Sequence, residues 1–234
     1  MEVQKSDELF PAVDASALQQ SQLEASRAER TAMFVSVVIG GKTIVFRDVL
    51  KTEWYAPFVR AMAEEGIVSG YRDAEGQPTG LFGPANAVTV GEMAKVFAII
   101  SGAYAGGCPA VSLNPTASGS WMPSFLSCGE KRGWAVYGDA TVDVQRPATR
   151  AEVVMTLLQS FGIDAGEMIE QPFDDVTSST RFAPAIAQAK RDNIVSGFAD
   201  AQGNATGMFG PEDSVTRAEF AKIIRYGMQT YTQK

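Results

Sequence analysis

Three stretches of the chain share one order of apolar and polar positions: VTVGEMAKVF at 88–97, ATRAEVVMTL at 148–157 and VTRAEFAKII at 215–224. In each, a Thr stands three residues before a Glu and opens an apolar run, as Thr89 with Glu92, Thr149 with Glu152 and Thr216 with Glu219. That spacing is a capping box: the Thr hydroxyl accepts from the N3 backbone N–H, and the Glu reaches back to the N-cap N–H. Three helices are predicted to start there. Their apolar positions keep helical period (Met93, Val96, Phe97 and Ile100; Val153, Leu157 and Phe161; Phe220, Ile223, Ile224 and Met228), so each helix must lay one face on something apolar. Upstream, the β-branched runs 35–39 and 42–46 flank Gly40-Gly41, which predicts a two-residue hairpin. Residues 14–33 carry helix-favouring Gln, Glu, Ala, Arg and Leu with a thin stripe of Leu18, Leu23 and Met33, and 1–13 read as an untethered lead-in.

The first and third stretches belong to longer units that superimpose without a gap. Phe46, Asp48, Pro57, Gly70, Asp73 and Phe82-Gly83-Pro84 fall on Phe173, Asp175, Pro184, Gly197, Asp200 and Phe209-Gly210-Pro211 at one constant offset. Each unit opens on F-x-D-V, continues into a first helix, turns through a Gly-rich loop and ends on the capped helix; the helix of the first unit is predicted to begin near Trp54. The middle unit diverges: Trp121 takes the place of Trp54, the loop is shorter, and Val142-Asp143-Val144 stands where the others have Phe-Gly-Pro. Residues 101–120 are Gly-, Ala-, Ser- and Pro-rich and read as a connector without regular structure. A helix–loop–helix unit of this size cannot bury its own stripes, so its neighbours must complete the core.

Composition narrows the function. The 234-residue chain is 45% hydrophobic and 20% charged, which suits a globular fold with a sizeable core. A net charge of −7 argues against nucleic acid and anionic membrane as partners. An anionic ligand then needs a local basic pocket. No apolar run is long enough to span a bilayer, and MEVQKSDELF has no leader-like basic and apolar regions, so the chain either stays in the cytoplasm or has lost its leader. There is no His, no nucleophile elbow, no phosphate-binding Gly loop and no Cys/His metal cluster, which predicts a non-enzyme without metal or cofactor. Arg150 and Arg217 follow the capping Thr in two units, whereas the first has Val90. An arginine beside a helix N-terminus adds a planar donor fork to unpaired N–H groups, a setting that favours a carboxylate or phosphate. The same residues also fit a simple helix start with a solvated or salt-bridged arginine.

Taken together, F-x-D-V, the Trp-led helix, G-I-x-x-G-Y, F-x-P and T-R-A-E resemble S-layer homology repeats, over about 46–231. The resemblance implies a mainly α fold of three helix–loop–helix repeats in pseudo-threefold arrangement around a central helical bundle. It divides the chain into an N-terminal lead-in, helix and hairpin at 1–45 and repeats at 46–103, 104–165 and 166–234, the middle one divergent. It also implies an extracellular, cell-envelope protein held non-covalently by a cell-wall polysaccharide, in many members one bearing ketal-linked pyruvate. The ligand contacts it implies are Arg150 and Arg217, with Trp54, Trp121, Tyr71, Gly70, Gly197, Asp48 and Asp175 around inter-repeat grooves. Because Val90-Gly91 departs from T-R-A-E, at most two grooves carry the charged contact.

Several of these residues admit a second reading. Trp54 and Trp121 fit a core position as well as a sugar-stacking one, Tyr71 suits turn packing, and Asp48 and Asp175 suit helix capping. The whole module also suits protein–protein assembly with other surface-layer subunits, without glycan. Finally, Cys108 and Cys128 are the only cysteines, and the location outside the cell implied by the family makes them a disulfide candidate.

Overall fold

The predicted hairpin forms, and it is longer than expected. The structure, a computed structural model, describes residues 15–117 and 121–232, so the expected lead-in at 1–13 lies outside the described residues. Strand β1 (Phe34–Ile39) pairs antiparallel with β2 (Lys42–Leu50) through Gly40 and Gly41, both at positive φ, which a primed two-residue turn requires. Strand β2 crosses the 45/46 boundary and takes the F-x-D-V opening into the sheet. Alternation buries Val35, Val37, Ile44 and Phe46 on one face. Helix α1 (Ala15–Ala32) precedes the hairpin as expected, and Leu23 and Met33 of its thin stripe remain exposed.

Helix α2 (Ala56–Glu64) starts near Trp54 as expected, two residues after it, with that Trp in the turn before the helix. Trp121 stands in the same relation to α4 (Pro123–Lys131), two residues before its start. The capped helices are α3 (Val90–Ile100), α5 (Arg150–Ser160) and α7 (Arg217–Tyr231), and α6 (Ala183–Arg191) precedes the last. All three capping boxes are present with both reciprocal hydrogen bonds. The short helices α2, α4 and α6 each carry Pro in the first turn, where the backbone N–H has no intrahelical partner. The connector has one short 3₁₀ turn, Pro115–Ala117, within its described part.

Each short helix packs on a capped helix from another part of the chain: α2 on α7, α4 on α3 and α6 on α5, with α5 touching both α3 and α7. The stripes therefore meet in one continuous core that runs from Val35 to Tyr231. Phe97 lies edge-on to Phe220 at 5.8 Å and to Trp134 at 6.5 Å, which brings three distant stretches into one aromatic contact.

The residues just before the capping Thr close a ring of backbone hydrogen bonds. Val88 N–H donates to Val215 C=O (2.9 Å), Val215 N–H to Ala148 C=O (3.1 Å), and Ala148 N–H to Val88 C=O (2.8 Å). All three residues are buried. The next N–H groups follow the same order: Val90, Arg150 and Arg217 donate to Arg146, Asp213 and Asn86, while Gly91, Ala151 and Ala218 donate to Val144, Pro211 and Pro84. The orphan donors of each helix start are thus satisfied by the strand-like lead-in of a neighbour.

Candidate functional site

That backbone pattern corrects one premise of the sequence reading. The N–H groups beside Arg150 and Arg217 are not open to an anion, because neighbouring carbonyls and the capping Thr already accept from them. What the helix starts offer to solvent is side-chain charge.

Both arginines reach across to another unit. Arg217 donates from Nε to Phe82 C=O (2.8 Å), pairs through Nη1 with Glu92 (3.0 Å), and lies over the rings of Tyr71 and Phe82 at 4.8 and 4.9 Å. Arg150 repeats this with Phe209 C=O (2.8 Å), Glu219 (3.3 Å), Phe198 and Phe209. The side chains are only 12% and 7% exposed, so each arginine joins two units structurally while presenting an edge to solvent. Burial pulls Arg150 below the ordinary guanidinium range, against the pull of Glu219, Asp213 and Asp175.

Asp48 and Asp175 line neither groove and cap no helix. Asp48 accepts from the N–H groups of Phe82 (2.9 Å) and Gly83 (2.7 Å), and Asp175 from Phe209 (2.9 Å) and Gly210 (2.7 Å). Each carboxylate fixes the Phe-Gly-Pro turn whose carbonyl then holds the arginine. Tyr71 is a platform for Arg217, its hydroxyl accepting from Asn86 Nδ2 at 2.9 Å. Gly70 and Gly197 sit at positive φ, where a Cβ would come within 2.6 Å of the carbonyl oxygens of Leu81 and Met208.

Two grooves gather the remaining candidates. One, of about 560 Å³, is lined by Trp54, Arg150, Ser196, Gly197, Phe198, Glu219, Lys222 and Tyr226. The other, of about 400 Å³, is lined by Trp121, Arg217, Ser69, Gly70, Tyr71, Glu92 and Lys95, with Arg72 in addition. Position by position the second repeats the first, and each draws its Trp, its Arg and its Gly loop from three different parts of the chain. Trp54 and Trp121 are 52% and 48% exposed, so neither is a core anchor. Lys222 Nζ lies 5.6 Å from the Trp54 ring centre and Lys95 Nζ 5.2 Å from that of Trp121. Burial, with Arg72 and Arg217 nearby, holds Lys95 below the ordinary lysine range despite Glu92. Among the described residues, no carboxylate forms an ion pair with either lysine. These lysines were missed by sequence reasoning, although Glu-x-Ala-Lys stands at 92–95 and Glu-x-Ala-Lys at 219–222 and is Glu-x-x-Met at 152–155.

The third position is built differently. Val90 is buried and its carbonyl accepts from the Tyr137 hydroxyl (3.1 Å), while Met122 fills the space beside Gly91. Met155 replaces the lysine and Arg181 stands at the Trp position. Glu152 is taken by Arg146 (2.9 and 2.5 Å) and by Arg181 (3.4 Å). Burial pushes Glu152 up, but hydrogen bonds from Arg146 and Thr149, with the charges of Arg146 and Arg181, hold it below the usual carboxylate range.

Two stretches match the S-layer homology domain. They are residues 45–94 and 172–221, which contain the two F-x-D-V openings and both Gly loops, whereas the stretch between them is not matched. S-layer homology domains are generally cell-wall anchoring modules, binding rather than catalytic, and place a protein at the cell surface or envelope. A search of curated proteins returns no match for this chain. Among the described residues no helix is long and apolar enough to cross a membrane.

Proposed function

We propose that the chain is a module of three S-layer homology repeats closed around a common axis, and that it anchors a surface protein by binding an acidic cell-wall polysaccharide in two grooves. The ring of backbone hydrogen bonds through Val88, Ala148 and Val215 supports the closed arrangement and the middle unit as a third, divergent repeat. The observation that carries the binding function is the recurrence, in two grooves, of an exposed Trp beside a Lys that no carboxylate among the described residues pairs with and an inter-unit Arg, in a protein whose net charge is −7. An indole face suits the apolar face of a sugar ring, and the Lys and Arg suit a carboxylate on it, such as a ketal-linked pyruvate. The arginine edges and the lysine ammonium supply charge; Gly70 and Gly197 let the loop backbone come close.

The test is retention on purified cell-wall polysaccharide before and after mild acid removes its acidic substituent. Retention on the intact polymer and its loss on the stripped one support the function. Equal retention on both polymers sinks the acid-binding role, and no retention on either favours assembly with other subunits.

A further inference from the structure

The two grooves are flanked differently, and the difference comes from the connector. At the Trp54 groove, Phe58 is covered edge-on by Tyr226 of α7, which is itself part of the groove wall. At the Trp121 groove the equivalent ring, Phe125, is covered by Tyr104 from the connector, stacked at 4.6 Å and 28°. Phe125 is in turn edge-on to Trp121 at 5.9 Å, and Lys95 Nζ lies 5.2 Å from the Trp121 ring centre and 5.8 Å from that of Phe125. An aromatic row, Trp121–Phe125–Tyr104, thus leads away from the groove mouth. Both ends are open: Trp121 is 48% and Tyr104 49% exposed.

The row is held in place. Tyr104 N–H donates to Ala98 C=O (3.0 Å), its own carbonyl accepts from Gly107 N–H (3.2 Å), and Ala103 beside it is buried with Ala98 and Cys128. The Cys108–Cys128 disulfide ties this turn to α4. Ser127 Oγ donates to Pro109 C=O, and Glu130 accepts from Ser112 Oγ and Leu113 N–H, so the connector is sewn to the helix that carries Phe125. An exposed tyrosine held by this many contacts loses little conformational freedom when it meets a ligand.

Resting on the glycan-binding function proposed above, we infer that Tyr104 forms a second sugar subsite beside the Trp121 groove, so that this groove takes an acid-bearing sugar together with its neutral neighbour in the same glycan. The occupant follows from the row's chemistry and continuity. Beyond Lys95 the row presents the rings of Phe125 and Tyr104, while Lys131 Nζ donates to Gly107 C=O of the Tyr104 turn at 3.4 Å; ring faces suit an uncharged sugar face. At the Trp54 groove the neighbouring rings, Tyr55 edge-on to Trp54 and Tyr226 on Phe58, are half-buried and offer no exposed ring like Tyr104 among the described residues, so that groove reads the acid-bearing residue alone.

The experiment uses the full chain with the other groove silenced by Trp54→Ala and Lys222→Met. The probes are a hexose carrying a ketal-linked pyruvate and the two disaccharides that extend it by one neutral hexose at either end. Affinities are measured by calorimetry, with melting temperature and thiol counts confirming fold and disulfide. For Tyr104→Ala, the preference for the better disaccharide over the single sugar is expected to fall about three- to tenfold. Tyr104→Phe should keep the preference, and Val111→Ala, elsewhere on the connector, should not alter it. An unchanged preference in Tyr104→Ala overturns the subsite. If Trp121→Ala with Lys95→Met binds the single sugar as well as its parent, the groove itself is wrong; if that variant loses binding while Tyr104→Ala keeps the preference, only the subsite fails.

Discussion

Phe220→Ala tests whether the units fold as one body. Phe220 is 4% exposed on α7 and meets Phe97 of α3 at 5.8 Å, and Phe97 meets Trp134 of the middle unit at 6.5 Å. Removing a buried Phe side chain costs about 3–5 kcal/mol, from lost transfer energy and the cavity left behind. For a domain of this size each kcal/mol moves the melting point by about 2–4 °C, so a fall of roughly 6–20 °C is expected. Trp134 is buried while Trp54 and Trp121 are exposed, which makes tryptophan emission a reporter of the middle unit's core. If the account is right, emission and far-UV circular dichroism shift together in one transition. A cycle with Phe97→Ala should show coupling of about 0.5–1.5 kcal/mol. Two separated transitions, or a Trp134 signal that melts at the parent temperature, would refute the single closed core.

Two further perturbations have clear expected outcomes. Replacing Cys108 and Cys128 by Ser opens a loop of sequence separation 20 and should lower stability by roughly 3 kcal/mol in denaturant titrations; free thiols in the unreduced protein would contradict the pairing. Glu152 has its folded pKa held below the ordinary carboxylate value, so its contribution is complete above that value and is lost as pH falls through the folded one. Glu152→Gln leaves Arg146 and Arg181, 32% and 56% exposed, to solvent and should therefore cost about 1–3 kcal/mol at neutral pH and flatten the acid limb of the stability profile. An acid limb identical to that of the parent would show that Arg146 and Arg181 do not stabilise the carboxylate.

The elements were legible because local chemistry set them. The capping boxes at Thr89, Thr149 and Thr216, the Gly40-Gly41 hairpin and the Pro-led short helices all follow from residues next to one another. The site was legible only in part. Arg150, Arg217, Trp54 and Trp121 stand out by repetition, but which loop each one faces depends on α2, α4 and α6 packing on capped helices of other units, a choice no local signal encodes. For the same reason the helix-start N–H groups looked open when the neighbours' carbonyls close them. Asp48 and Asp175 looked like ligand contacts because they recur with the motif; their partners are backbone N–H groups of Phe82, Gly83, Phe209 and Gly210, which carry no side-chain signature. Lys95 and Lys222 were hidden by their ordinary place on an amphipathic helix, and only their proximity to Trp121 and Trp54 sets them apart.

The central claim, two acid-binding grooves, is tested most directly by counting them. Calorimetric titration with a hexose bearing a ketal-linked pyruvate should give two sites per chain. Trp54→Ala with Lys222→Met should leave one site, Trp121→Ala with Lys95→Met should leave the other, and the fourfold variant should bind none, while its capping boxes and inter-unit arginines keep it folded. Undiminished binding by a correctly folded fourfold variant would contradict the account.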